Sequence, residues 1–191
     1  VVRRKMSDGV TVKLMPIGVD EALLEEVVAE VELSLPGVRC TVCKACEMNS
    51  FDISKAFDKL RRQYLADAIL RELPTPSENE RVVGIVGVDI YSGRLNFVFG
   101  IAELFGRRAL VSTFRLSAGG VRREVFIERL IKEIVHELGH TFGLQHCKDS
   151  RCVMRFSNSI ADTDCKSKRL CANCLQAYCA RLGYDTATSK R

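Results

Sequence analysis

Long apolar runs are missing from this chain. The best candidate, Val82–Ile90, is broken by Gly84 and Gly87 and falls well short of the ~20 residues a membrane-spanning helix needs. Internal repeats and low-complexity tracts are also missing. The basic start at Val1–Lys5 has no apolar stretch behind it, so no secretory signal is expected and the expected compartment is the cytoplasm. Charge of one sign is lacking too. The 29 Lys and Arg stand against 24 Asp and Glu, and the net +5 is spread over small clusters such as Arg61-Arg62 and Lys166–Arg169. Charge alone therefore gives no case for nucleic acid. Asn and Gln are scarce as well, a depletion associated with thermophilic chains, in which intracellular disulfides survive.

What is present is a chain of 191 residues, 47% hydrophobic, enough for one core with a small appendage. Val10–Ile17 alternates and reads as a strand. Asp20 caps an apolar helical pattern running through Leu35, and Val38–Cys46 reads as a second strand. Asp52 or Ser54 opens a helix whose stripe is Ala56, Phe57, Leu60, Tyr64, Ala68 and Ile69, ended by Pro74 and Pro76. Arg81–Ile90, Leu95–Leu104 and Ala109–Leu116 read as strands, and a long helix follows from Val121 to Phe142. Strands alternating with helices imply an α/β fold, a mixed sheet with packed helices. After Gly143 the chain turns cysteine-rich and basic. The expected division is 1–143, an α/β subdomain ending in the long helix, and 144–191, a smaller C-terminal subdomain.

All three histidines fall within eleven residues, His136-Glu137-Leu138-Gly139-His140-Thr141-Phe142-Gly143-Leu144-Gln145-His146. His136 and His140, four apart, share a helix face and can chelate one ion, with Glu137 beside them to handle a proton. On a straight helix His146 would lie about 9 Å beyond His140, too far for ligand bonds of about 2.0–2.1 Å. The helix must stop and the chain turn back. Gly143 permits that turn, because glycine enters the left-handed region freely. The result is a three-histidine tripod with one open position.

The nine cysteines fall mostly in short spacings, which favours metal over disulfides. Cys147-x4-Cys152 and Cys171-x2-Cys174 suit a closed tetrahedral zinc site that staples the C-terminal segment, with reduced thiols or two disulfides as the alternatives. Cys40, Cys43 and Cys46 lack an adjacent fourth ligand, and reduced thiols or a local disulfide is the expectation there.

The histidine motif resembles that of the metzincin metallopeptidases, His-Glu-x-x-His-x-x-Gly-x-x-His followed by a methionine turn. Cys147 directly after the third histidine, Cys152-Val153-Met154 and Cys171-x-x-Cys174 make the chain similar, more narrowly, to the archaemetzincins. The resemblance implies a metzincin-like fold and two zinc ions. His136, His140 and His146 would hold the catalytic zinc, and Cys147, Cys152, Cys171 and Cys174 the structural one. It further implies peptide-bond hydrolysis by a zinc-activated water with Glu137 as general base, Met154 beneath the metal, and aminopeptidase preference among the family's activities.

Two other functions compete with a peptidase. A non-catalytic zinc module could present Lys166, Lys168 and Arg169 to nucleic acid or a protein. Glu137 argues against it, because a binding module needs no carboxylate between two ligating histidines, and only Phe156 and Tyr178 could stack bases. The other alternative is a metzincin relative with lost or regulated activity. Under the peptidase reading the expected partner is a peptide or protein, not a membrane and not, on this pattern, nucleic acid; the sequence leaves the oligomeric state open, with a monomer favoured. An edge strand within Leu95–Leu104, drawn at Asn96–Glu103, would pair with an extended substrate. Tyr64, Tyr91, Tyr178 and Tyr184 are the candidate oxyanion donors.

Overall fold

The computed structural model describes residues 9–44 and 51–183. Chain order is β1 (Val10–Ile17), α1 (Glu21–Glu25), α2 (Val28–Ser34), β2 (Val38–Val42), β3 (Phe57–Asp58), β4 (Gln63–Leu65), α3 (Ala66–Glu72) and β5 (Glu80–Val86). It continues with β6 (Ile90–Tyr91), β7 (Gly100–Ala102), β8 (Arg108–Ser112), α4 (Arg123–Thr141), α5 (Ile160–Cys165) and α6 (Ala172–Arg181). Strands β2-β1-β5-β8 run parallel, and β7 closes one edge antiparallel to β8. A mixed sheet with helices on both faces is the α/β architecture the sequence implied.

Period-two alternation sorts the side chains between two cores. Val12, Leu14, Val83, Ile85, Ala109 and Val111 face α1, α2 and α4. Met15, Ile17, Val82, Val86 and Leu110 face Ile69, Leu70 and Leu73 on and just beyond α3. The segment after Gly143 adds no core of its own among the described residues. Val153, Met154 and Tyr178 are fully buried in the first core, and the Tyr178 hydroxyl donates to Pro36 O at 3.0 Å.

Several local expectations change, and the edge strand expected within Leu95–Leu104 and drawn at Asn96–Glu103 is strand only over β7, Gly100–Ala102. The pattern from Asp20 to Leu35 folds as two helices, separated by a turn at Glu26-Val27, although Asp20 does cap the first through Ala22 N. The helix expected from Asp52 is instead a 3-10 turn (Ser54–Ala56), the β3–β4 hairpin and then α3. Asp58 explains the difference. Its carboxylate accepts from Leu60 N and Arg61 N, holding a turn in which Arg62 takes φ +56° and Leu60 is 97% exposed. Helical spacing there was coincidental. Finally, Ile90 and Tyr91 leave the main sheet as β6, which pairs with β4.

Candidate metal centre

Helix α4 carries His136, Glu137 and His140 on its inner face, over the edge of the sheet at β7 and β8. At its end Gly143 takes φ +81°, and Leu144 N returns to Gly139 O at 2.9 Å, so the chain reverses where the sequence required. His146 comes back beside its two partners. His140 Nε2 stands 3.1 Å from His136 Nε2 and 3.2 Å from His146 Nε2. Tetrahedral zinc with bonds of about 2.0–2.1 Å spaces its nitrogens about 3.3 Å apart, so the donor set fits the ion.

The ring orientations fit as well. His136 Nδ1 donates to Val153 O at 2.8 Å and His140 Nδ1 to Leu144 O at 2.7 Å, which leaves both Nε2 lone pairs directed at the shared centre. Burial, reinforced by Lys166 and the neighbouring histidines, holds the His136 imidazole well below its usual range. Burial likewise lowers His140 and His146. In all three the shift favours the neutral imidazole, the form a metal needs. Burial, then the charge of Glu133, pushes the Glu137 carboxyl well above its ordinary range, while Lys166 pulls the other way. A dication on the three imidazoles also favours the carboxylate.

The four cysteine sulfurs Cys147, Cys152, Cys171 and Cys174 gather within 4.8 Å of one another. Cys147 Sγ to Cys171 Sγ is 3.8 Å, the spacing expected, at about 3.8 Å, for tetrahedral zinc with bonds of about 2.3 Å. This cluster abuts the histidines through the backbone. Cys147 follows His146 directly, its N–H donates to Met154 O at 2.9 Å, and Cys152 precedes the Val153 carbonyl that orients His136. Cys40 is a separate buried thiol on β2, pushed up to about 12 by burial and by Glu32. Among the described residues it joins no metal-ligand group, and Cys46 lies outside them.

Met154 is fully buried under the tripod, its sulfur so close to Gly139 that a Cβ there would meet it at 2.3 Å. The tyrosines lie elsewhere. Tyr178 is sunk in the core, Tyr91 donates to Asp58, Tyr64 packs on Phe57, and Tyr184 lies outside the described residues. None of the three described tyrosines lines the cleft. Ser157 does, and its buried hydroxyl has no hydrogen-bond partner among the described residues.

Several site features carried no signal in the sequence. Phe105, at φ +59°, donates its N–H to His140 O at 3.1 Å and lays its ring on Gly143, and the Arg181 guanidinium covers it at 4.4 Å. Gly143 therefore supplies room as well as backbone freedom. One turn before Glu137, the buried Glu133 receives Lys166 Nζ at 2.9 Å and the Thr163 hydroxyl at 3.2 Å. Lys166 is completely buried in its side chain. Replacing it with methionine leaves a buried charge alone, which costs about 3–5 kcal/mol. Urea unfolding should show that loss for Lys166→Met, and a smaller one for Lys166→Met with Glu133→Gln.

A three-histidine centre on a helix-and-turn beneath an open sheet edge, braced by a four-cysteine centre, defines a class of zinc hydrolase. The family model for Peptidase family M54 matches residues 18–179. An archaemetzincin of Haloquadratum walsbyi is 40% identical over 171 residues, covering 85% of this chain and 96% of its own. Crystal structures give the same picture. Archaemetzincin from Archaeoglobus fulgidus, complexed with malonate, is 39% identical with a TM-score of 0.75, over 87% of this chain and 99% of that one. Archaemetzincin from Methanopyrus kandleri is 35% identical with a TM-score of 0.77, over 94% and 98%. The chain belongs to Peptidase family M54, the archaemetzincins. It is a zinc metallopeptidase whose substrates are peptides, and no helix among the described residues is long and apolar enough to cross a membrane.

Proposed function

We propose that His136, His140 and His146 hold the catalytic zinc, that Cys147, Cys152, Cys171 and Cys174 hold the structural one, and that Glu137 is the general base. The convergence of three Nε2 atoms beside a buried carboxylate carries this reading. Zinc bound there supplies Lewis-acid polarisation of a carbonyl and acidification of water. Glu137 takes the proton of the attacking water and returns it to the departing amine. Met154 packs beneath the histidines and fixes their helix against the returning chain. In this reading residues 1–143 supply the sheet edge, two histidines and the base. Residues 144–191 supply the third histidine, the methionine and the four thiolates, which suit a reducing, cytoplasmic setting.

The substrate lies extended against β7. The ladder to β8 uses Phe99 O and Glu103 N, so by alternation the backbone groups of Gly100 and Ala102 turn to the unpaired edge. The adjoining cleft is about 750 Å³ and carries Leu95, Phe97, Leu104 and Phe156. Its charged side chains, among the described residues, are Glu137 and the Lys166-paired Glu133. Apart from Glu137, which is engaged as the base, a terminal ammonium thus finds no unpaired anion among the described lining residues, and cleavage is expected at interior bonds beside apolar residues. A library of peptides with free and with acetylated N-termini tests this, new termini being read by mass spectrometry. Equal cleavage of both is the expected result. Cleavage confined to free N-termini would establish aminopeptidase action instead.

A further inference from the structure

Glu137 accepts no hydrogen bond from any described residue, yet a general base needs a fixed direction. What limits its side chain is the sheet edge. At Gly100 on β7, a Cβ would lie 2.7 Å from both Cγ and Oε1 of Glu137 and 2.7 Å from Leu110 O. Contacts under 3.0 Å are not tolerated by real Cβ atoms, so the Glu137 carboxylate occupies the place where any other residue would put its side chain. Gly100 has an ordinary backbone, outside the left-handed region, so its conformation alone does not call for glycine.

Building on the reading of Glu137 as base, we propose that Gly100 is a positioning residue for it. The missing side chain forms the slot that holds the carboxylate upright between helix α4 and the edge strand. The backbone groups of Gly100 face the open edge that a substrate would pair with. One residue therefore sets both the height of the peptide and the reach of the base, which keeps the two in register. A methyl group at this position displaces the carboxylate, because its other neighbour, the Leu110 carbonyl, is fixed in the ladder to β8.

The test compares zinc-loaded full-length protein as wild type, Gly100→Ala, Glu137→Ala and the double variant, by thermal unfolding and by steady-state cleavage of one peptide. Gly100→Ala should lower Tm by roughly 5 °C in the wild-type background, and by less than half as much once Glu137 is alanine. It should lower kcat roughly 100-fold with KM changed less than threefold, as misplacement of a reacting group does. Additive Tm losses would assign the strain to the Leu110 carbonyl and overturn the proposal. A loss confined to KM, or full activity, would also overturn it. If Gly100→Ala does not fold, recovery of folding in the double variant supports the slot, and failure of both variants refutes it. An active Glu137→Ala protein would instead mean that the base was wrongly assigned.

Discussion

Glu137→Gln should abolish peptide cleavage while leaving two zinc ions per chain. The substitution keeps the length and volume of the side chain, so its place against Gly100 is preserved. The amide cannot accept the proton of the attacking water at neutral pH, and positioned general bases contribute about 10²–10⁴-fold. The loss should appear in kcat. None of the three Nε2 ligands is touched, and their Nδ1 contacts to Val153 O and Leu144 O are made without Glu137. Zinc content by elemental analysis beside single-turnover cleavage checks this. Loss of zinc along with activity would mean that the glutamate holds the metal rather than moves a proton.

Cys171→Ser is the second large effect, and it acts at a distance. Removing one thiolate opens the four-cysteine site, whose zinc contributes on the order of 10 kcal/mol of apparent folding free energy in small zinc modules. The consequence reaches the other metal through two backbone routes. Cys147 adjoins His146 and is tied to Met154 O, and Cys152 adjoins the Val153 carbonyl that orients His136. Two of the three histidines thus depend on the thiolate cluster for their aim. Loss of such supporting contacts lowers metal affinity about 10–100-fold, and competition with a chromogenic chelator should measure that drop at the histidine site. Unchanged affinity there would show that the C-terminal centre is a staple only.

The parts of the site that were legible in the sequence are those whose geometry is local. Helical spacing alone puts His136 and His140 on one face, a glycine alone explains the return of His146, and two short cysteine clips suffice for a tetrahedron. Features built by contacts between distant segments left no such trace. Lys166 reads as one cation in a basic cluster, and only folding brings it to Glu133, 33 positions earlier. Gly100 is one unremarked position in the stretch Leu95–Leu104 until α4 is laid across it. The hairpin at 57–65 defeated the periodicity argument because Asp58 satisfies two backbone N–H groups in a turn, which a count of apolar positions does not register. Two of the tyrosines proposed as oxyanion donors are ruled out for a similar reason: the Tyr91 and Tyr178 hydroxyls are spent on Asp58 and Pro36, and neither residue lines the cleft.

The most direct measurement follows cleavage while zinc is titrated into metal-free protein. Four thiolates bind zinc more tightly than three neutral imidazoles, so the first equivalent fills the cysteine site. Cleavage should be absent up to one zinc per chain and rise to a plateau at two. Activity in protein whose histidine site has been stripped of zinc while the cysteine site stays filled would contradict the assignment of the three histidines as the working centre.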